Sequence, residues 1–177
     1  MRSGLGAIGS LRIEMLGSGH ERSTFACGVE SLDRYLRQQA SQDMRRVTAR
    51  VFVAISTDHP DRILGYYTLS AAAIVSADLP PDMAKRLPKY PVPAALIGRL
   101  AVDQSIAGRG LGSLLLADAV KKATLAAETV AMAAIAVDPI DDSARQFYAA
   151  FGFRSLLGAE RRMFLTLPLT SAGVPAG

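Results

Sequence analysis

The sequence predicts one mixed α/β sheet with helices packed against it, and three observations carry that expectation. Strand-like and helix-like segments alternate along 177 residues, a length suited to a single domain. Two strand-like runs, RVFVAI and ILGYYTLSA, lie either side of a turn and so read as a hairpin. Three further segments repeat apolar residues at intervals of three and four, the period of a helix face.

The elements follow in order. Residues 1–11, broken by glycines, are expected to form a flexible N-terminus, residues 12–168 one domain, and residues 169–177 a flexible tail. Leu32, Tyr35 and Leu36 make Ser31–Gln39 an amphipathic helix, which extends towards Met44 and ends in Arg45-Arg46, cations suited to a helix C-terminus. Arg50–Ile55 and Ile63–Ala71 are strands joined by a turn at DHPD, residues 58–61. Five prolines between residues 80 and 93 leave room only for a short helix around Asp82–Leu87.

Ala95–Val102 reads as a third strand. The helix from Gly110 carries Leu111, Leu114, Leu115, Ala119, Ala123 and Ala126 as one apolar stripe. Val130–Val137, bounded by Asp-Pro, is a short run expected to be a strand buried on both faces. Asp141, Asp142 and Ser143 are capping residues for a helix that buries Ala144, Phe147, Tyr148 and Phe151 and stops at Gly152. Arg162–Leu167 is the last strand.

Composition removes several function classes. Half of the chain is apolar and a fifth is charged, which excludes a disordered or fibrous protein. No apolar run approaches the roughly 18–20 residues that cross a bilayer. Cys27 is the single cysteine, so no internal disulfide forms, and no Cys/His set has zinc spacing. A soluble cytoplasmic protein with no bound metal and no membrane partner is the expectation. Residues 85–122 hold seven Lys/Arg against two Asp/Glu, a basic stretch that suits phosphate-bearing partners or a plain solvated face. Cys27 reads as a small buried thiol, His20 as a surface imidazole, and Tyr66 and Tyr67 as core and rim.

The segment RLAVDQSIAGRGLGSLLL (99–116) is the most informative. A strand ends, and Gly108, Gly110 and Gly112 lead straight into a long helix. Glycines let the backbone turn its N–H groups towards a ligand, and the helix N-terminus adds free donors and partial positive charge, so the bend suits a pyrophosphate. The absence of Gly-Lys-Ser/Thr disfavours a P-loop, and the position past mid-chain, after a hairpin, disfavours a dinucleotide-binding βαβ unit.

Three motifs in order resemble the GNAT N-acetyltransferases: LAVD; the Arg/Gln-x-x-Gly-x-Gly/Ala bend, matched from Ala107 to Gly112; and Ala144, Phe147, Tyr148, Gly152 and Phe153 in the last helix. Two positions depart from the pattern. Ala107 stands where the family has Arg or Gln, with Arg109 nearby as a substitute charge, and Asp141 stands where many members have Asn. FACGVESLDRYL (25–36), GYYTLSA (65–71) and KRLPKYPVPAALIGRLAVD (85–103) extend the likeness to the GNAT-fold toxins of type II toxin–antitoxin pairs, over about residues 12–167.

The resemblance implies a single GNAT domain and transfer of acetyl from acetyl-CoA to the α-amine of aminoacyl-tRNA, which blocks translation. A homodimer and a ribbon-helix-helix antitoxin partner are implied with it. It places the cofactor on Ala107, Gly108, Arg109, Gly110, Leu111, Gly112 and Ser113, and the pantetheine arm and thioester on backbone groups of Leu100, Ala101 and Val102. Tyr148 falls on the family's tyrosine and becomes the general acid for the leaving thiolate. A phenol with pKa near 10 keeps its proton at neutral pH, and an α-amine with pKa about 8 needs only a weak base. Arg45, Arg46, Lys85, Arg86, Lys89 and Arg99 are the candidate contacts to RNA. Two other functions fit the same residues: a GNAT acting on a small amine or a protein N-terminus, and a silent module binding nucleic acid or a partner.

Overall fold

Apolar residues at every second position bury Val51, Val53 and Ile55 completely in one strand, Arg50–Ser56. The structure, a computed structural model, describes residues 9–87, 89, 91–158 and 161–167. In chain order its strands are β1 (Leu11–Met15), β2 (Arg50–Ser56), β3 (His59–Ile74), β4 (Val92–Val102), β5 (Ala134–Val137), β6 (Arg154–Ser155) and β7 (Met163–Thr166). The helices are α1 (Glu30–Arg34), continued through a π-helical turn (Tyr35–Gln39) into α2 (Ala40–Arg45), then α3 (Pro81–Ala84), α4 (Leu111–Ala127) and α5 (Asp142–Ala150). The strands form one sheet in the order β1-β2-β3-β4-β5-β7-β6, which is the α/β architecture expected.

Two compact units divide the chain, one holding residues up to Ala71 with Leu96–Ala123, the other holding Ala72–Ala95 with residues from Thr124 on. In the first, β1, β2 and β3 are antiparallel neighbours, with Arg12 opposite Ile55 and Phe52 opposite Tyr67. One sheet face buries Val51, Val53, Ile63, Tyr66 and Ala101 with Leu32, Tyr35, Leu36 and Ala40 of the α1–α2 segment. Helix α4 covers the other face through Leu111 and Leu115. A Cβ on Gly65 would lie 2.9 Å from Leu115 Cδ1 and 3.0 Å from the Ala101 carbonyl oxygen, so this approach needs glycine.

In the second unit, β5 is buried at all four positions and pairs antiparallel with β7, Ile135 opposite Leu165. Asp141 caps α5 by accepting the Ala144 amide at 2.7 Å, and Gly152 follows its end with φ +94°. Arg162 grips Asp138 with two hydrogen bonds of 2.8 and 2.9 Å beyond the end of β5.

Several expectations need correcting. The hairpin reverses at Thr57-Asp58, with Ser56 opposite His59, so His59, Pro60 and Asp61 belong to β3 rather than to the turn. Strand β1 was not foreseen: Leu11–Met15 buries neither face fully, and an edge strand of that kind leaves no period-two signal. Leu11 therefore belongs to a strand, while residues 1–8 and 169–177 lie outside the described residues. On α4 Leu111, Leu115, Ala119 and Ala123 are buried as expected and Leu116 joins them, whereas Leu114 is 44 % exposed and Ala126 is also exposed. Val130 is exposed and β5 begins only at Ala134, and Phe151 stands half out of the core.

Candidate active site

The glycine bend grows out of β4 through a small polar lock. Asp103, 7 % exposed, accepts the Ser105 amide and hydroxyl on Oδ1 at 3.0 and 2.6 Å, and so caps a 3-10 turn at Gln104–Ile106. Ala107 follows, then Gly108 and Gly110 with φ of +77° and +88°, values an L side chain rarely adopts. No atom lies within 4 Å of where a Cβ would stand on either glycine, so the bend is open as well as left-handed. Leu111 anchors it, with its side chain fully buried, which leaves only its main-chain amide to serve a ligand. The amides of Leu111, Gly112 and Ser113 open α4, where no intrahelical carbonyl reaches them. An open, amide-lined bend at the positive end of a 17-residue helix fits a diphosphate.

Leu100, Ala101 and Val102 are the last residues of β4, immediately before that lock. The Asp103 amide donates to the Leu64 carbonyl at 2.8 Å, which fixes the strand exit. Arg99 precedes them. Its amide donates to Thr68 Oγ1 at 3.0 Å, and its guanidinium lies 3.6 Å above the Tyr35 ring. The bend, these strand positions and Arg99 belong to the first unit.

Tyr148 belongs to the second unit, on α5. It is 6 % exposed, and its ring meets Phe147 and Phe153 edge-on at 5.2 and 5.5 Å. Burial, reinforced by the charge of Asp138, pushes its phenol well above the ordinary tyrosine range, so the proton stays on at neutral pH. The hydroxyl has no hydrogen bond to any described residue. Among those residues no fully buried side-chain oxygen or nitrogen lacks a partner.

The remaining basic candidates are exposed. Arg45 and Arg46 end α2, Lys85 and Arg86 follow α3, and Lys89 lies among the prolines. None of these five forms an ion pair with a described residue. A cleft of about 240 Å3 at the start of α5 is lined by Pro139, Ile140, Asp141, Asp142, Arg145 and Arg161, and its two acids offset its two bases. Asp141, where many family members carry Asn, spends one carboxylate oxygen on its helix cap.

Sequence reasoning missed Asp103, Thr68 and Tyr35, whose roles depend on partners 77, 31 and 64 residues away in the chain. His20 is no surface imidazole. Its side chain is 8 % exposed, Nδ1 accepts the Gly17 amide at 2.9 Å, and Nε2 donates to Glu14 at 2.8 Å. Tyr66 and Tyr67 are both fully buried, Tyr67 donating to Asp118 at 2.7 Å. Cys27 is only partly buried, and its thiol is pushed up to about 11 by that burial and by Asp33. Among the described residues no cluster of His, Cys, Asp or Glu would hold a metal, and no helix is long and apolar enough to cross a membrane.

Comparison with known proteins agrees with this geometry. Residues 20–153 match the acetyltransferase (GNAT) family. A tRNA-acetylating toxin of Mycobacterium tuberculosis is 40 % identical over 131 residues, which cover 74 % of this chain and 76 % of the relative. The fold superimposes on AtaT complexed with acetyl-methionyl-tRNAfMet with a TM-score of 0.84 and 29 % identity, covering 89 % of this chain and 95 % of the other. A mutant AtaT toxin bound to the C-terminus of the antitoxin AtaR and acetyl-CoA gives 0.75 and 26 %, covering 88 % and 92 %. With a family match spanning both the glycine bend and Tyr148, the chain belongs to the acetyltransferase (GNAT) family.

Proposed function

We propose that this chain is a toxin that transfers acetyl from acetyl-CoA to the α-amine of aminoacyl-tRNA and so stops translation. The observation that carries the reading is the 40 % identity to a tRNA-acetylating toxin across about three quarters of both chains. The likeness to AtaT complexed with acetyl-methionyl-tRNAfMet supports the same substrate class.

Each residue has a task in that reaction. Amides of the bend from Ala107 through Gly108, Arg109, Gly110, Leu111 and Gly112 to Ser113 hold the diphosphate, and Arg109 supplies the side-chain charge that Ala107 lacks. Backbone groups of Leu100, Ala101 and Val102 pair with the pantetheine arm, and one of their N–H groups polarises the thioester carbonyl. Acetyl-CoA supplies the activated acyl group. The amine, about half neutral near pH 8, attacks the thioester carbonyl carbon to form the amide C–N bond, and its nitrogen gives up one proton to water, so no strong base is required. Tyr148 Oη gives its proton to the departing sulfur as the C–S bond breaks, and recovers one from solvent. Arg45, Arg46, Lys85, Arg86, Lys89 and Arg99 meet RNA phosphates, contacts that position without reading sequence.

The same reading makes the protein a cytoplasmic homodimer neutralised by a ribbon-helix-helix antitoxin. For an antitoxin partner, support comes from the likeness to an AtaT toxin bound to the C-terminus of its antitoxin. Cell-free translation tests the proposal: protein synthesis stops when the chain and acetyl-CoA are both present and continues with either alone. Unimpeded synthesis, with small amines still acetylated, would instead favour a small-amine acetyltransferase. Calorimetry showing no acetyl-CoA binding would favour a silent binding module.

A further inference from the structure

We infer that Arg99 is a preformed phosphate-binding residue for the acyl acceptor, held in position by Tyr35, and that the anion it takes is a phosphodiester of the substrate's RNA. The inference rests on the acetyl transfer proposed above and identifies which part of that substrate this residue contacts.

The geometry is specific to the cation. The Arg99 guanidinium lies 3.6 Å from the centroid of the Tyr35 ring, a stacked position. Tyr35 is itself immobilised: it is 2 % exposed, its hydroxyl donates to Asp43 Oδ2 at 2.8 Å, and its ring stacks at 6.3 Å on Tyr66. Tyr66 is fully buried, donates to the Leu32 carbonyl at 2.7 Å and meets Phe25 edge-on at 5.5 Å. A rigid aromatic column thus supports the guanidinium from below. The main chain fixes it from the side, because the Arg99 amide donates to Thr68 Oγ1 at 3.0 Å. The helix turn that presents Tyr35 is π-helical, a local irregularity that recurs at functional sites.

What the column does not supply is an anion. Arg99 is partly buried, yet its guanidinium has no hydrogen bond or ion pair with any described residue. Asp43 is engaged by the Tyr35 hydroxyl. Five N–H donors in a planar fork are left free on a side chain that has already lost its rotamer freedom, which is preorganisation for a bidentate oxyanion.

Position along β4 and substrate chemistry choose the oxyanion. Arg99 immediately precedes Leu100–Val102, the strand positions assigned to the thioester, whereas the diphosphate bend begins after them at Ala107. The cofactor's diphosphate therefore belongs to the opposite end of this segment from Arg99. Esterification consumes the α-carboxylate of every aminoacyl group, so the anions common to all such acceptors are their phosphodiesters.

Steady-state kinetics with purified aminoacyl-tRNA, and filter binding of the same tRNA uncharged, test this. Arg99→Gln is expected to raise KM for aminoacyl-tRNA at least tenfold and to leave KM for acetyl-CoA within twofold. It should also make the logarithmic salt dependence of tRNA binding shallower by about 0.7 to 0.9, the contribution of one phosphate. A merely structural role would not move that slope. Tyr35→Leu should reproduce the KM change by releasing the guanidinium, and if that variant fails to fold the Arg99→Gln result decides alone. An unchanged slope and tRNA affinity in Arg99→Gln overturns the inference, as does a rise confined to the KM for acetyl-CoA. A wild-type chain that acetylates no aminoacyl-tRNA refutes the reaction assigned above, whereas the binding arm still reports on Arg99 independently.

Discussion

Asp103 accepts the Ala26 amide on Oδ2 at 3.1 Å, while the Gln104 amide returns to the Ala26 carbonyl at 2.9 Å. This reciprocal clasp joins the segment leading into α1 to the turn from which the glycine bend departs. One buried carboxylate therefore sets where β4 ends and where the bend begins.

Removing that carboxylate has two measurable effects. Asp103→Ala orphans the Ala26 and Ser105 amides and is expected to cost about 2–3 kcal/mol in urea unfolding. The pH dependence follows from the sign of its shift. Burial alone would raise the carboxyl, but hydrogen bonds from Ser105 and Ala26, with Arg62 at 3.9 Å, outweigh it and hold the group below its ordinary range. A depressed carboxylate stabilises the fold fully above its unfolded pKa of about 3.9, and that stability is lost as pH falls through the lower folded value. Asp103→Asn should therefore be less stable than wild type at pH 7, and in thermal melts the gap should begin to narrow below about pH 4 and close only below the lower folded value.

Val47 gives a prediction of opposite sign. It lies at φ +59°, 69 % exposed, just after α2. The Thr48 amide reaches back to the Asp43 carbonyl at 3.0 Å and the Val47 amide to Met44 at 3.2 Å, the two bonds of a helix C-cap that ordinarily carries glycine. A β-branched residue in the left-handed region is strained, so Val47→Gly should stabilise the protein by about 1 kcal/mol, after the entropic cost of glycine is deducted. A lowered unfolding midpoint would contradict the assigned cap.

At Gly110 the penalty falls on the ligand. With φ +88° and open space around its Cβ position, alanine meets no clash, but the left-handed backbone becomes costly by about 1–3 kcal/mol. If the bend relaxes to relieve that cost, its amides turn away. Calorimetry should then find acetyl-CoA affinity lowered about tenfold or more in Gly110→Ala, with the far-ultraviolet circular dichroism unchanged.

How much of this was legible beforehand depends on how far each signal reaches along the chain. The Gly108 and Gly110 bend and the α5 cap at Asp141 were readable because their partners lie within a few residues. Strand β1 was not: LRIEM buries neither face fully, and pairing of Leu11 with Ser56 joins residues distant in sequence. Stripe positions on α4 shifted for a related reason. Leu114 and Leu116 are equally apolar, and only the sheet beneath, with Gly65 admitting Leu115, decides which one is buried. At the site, Tyr148 was found through family likeness, since helical spacing alone also fits a core aromatic. The Arg99–Tyr35 stack gave no sequence signal at all, because it joins a strand to a helix 64 positions earlier.

Tyr148 and the acetyl acceptor meet in one experiment. Acetyl-labelled acetyl-CoA is incubated with the chain and aminoacyl-tRNA, the RNA is digested, and the 3′-terminal aminoacyl-adenosine is examined by mass spectrometry for label on its α-amine. The account predicts N-acetylated aminoacyl-adenosine with the wild-type chain. With Tyr148→Phe the rate should fall by about 10²–10⁴-fold while acetyl-CoA still binds. No label on the α-amine with the wild-type chain, under conditions where acetyl-CoA is bound, would contradict it.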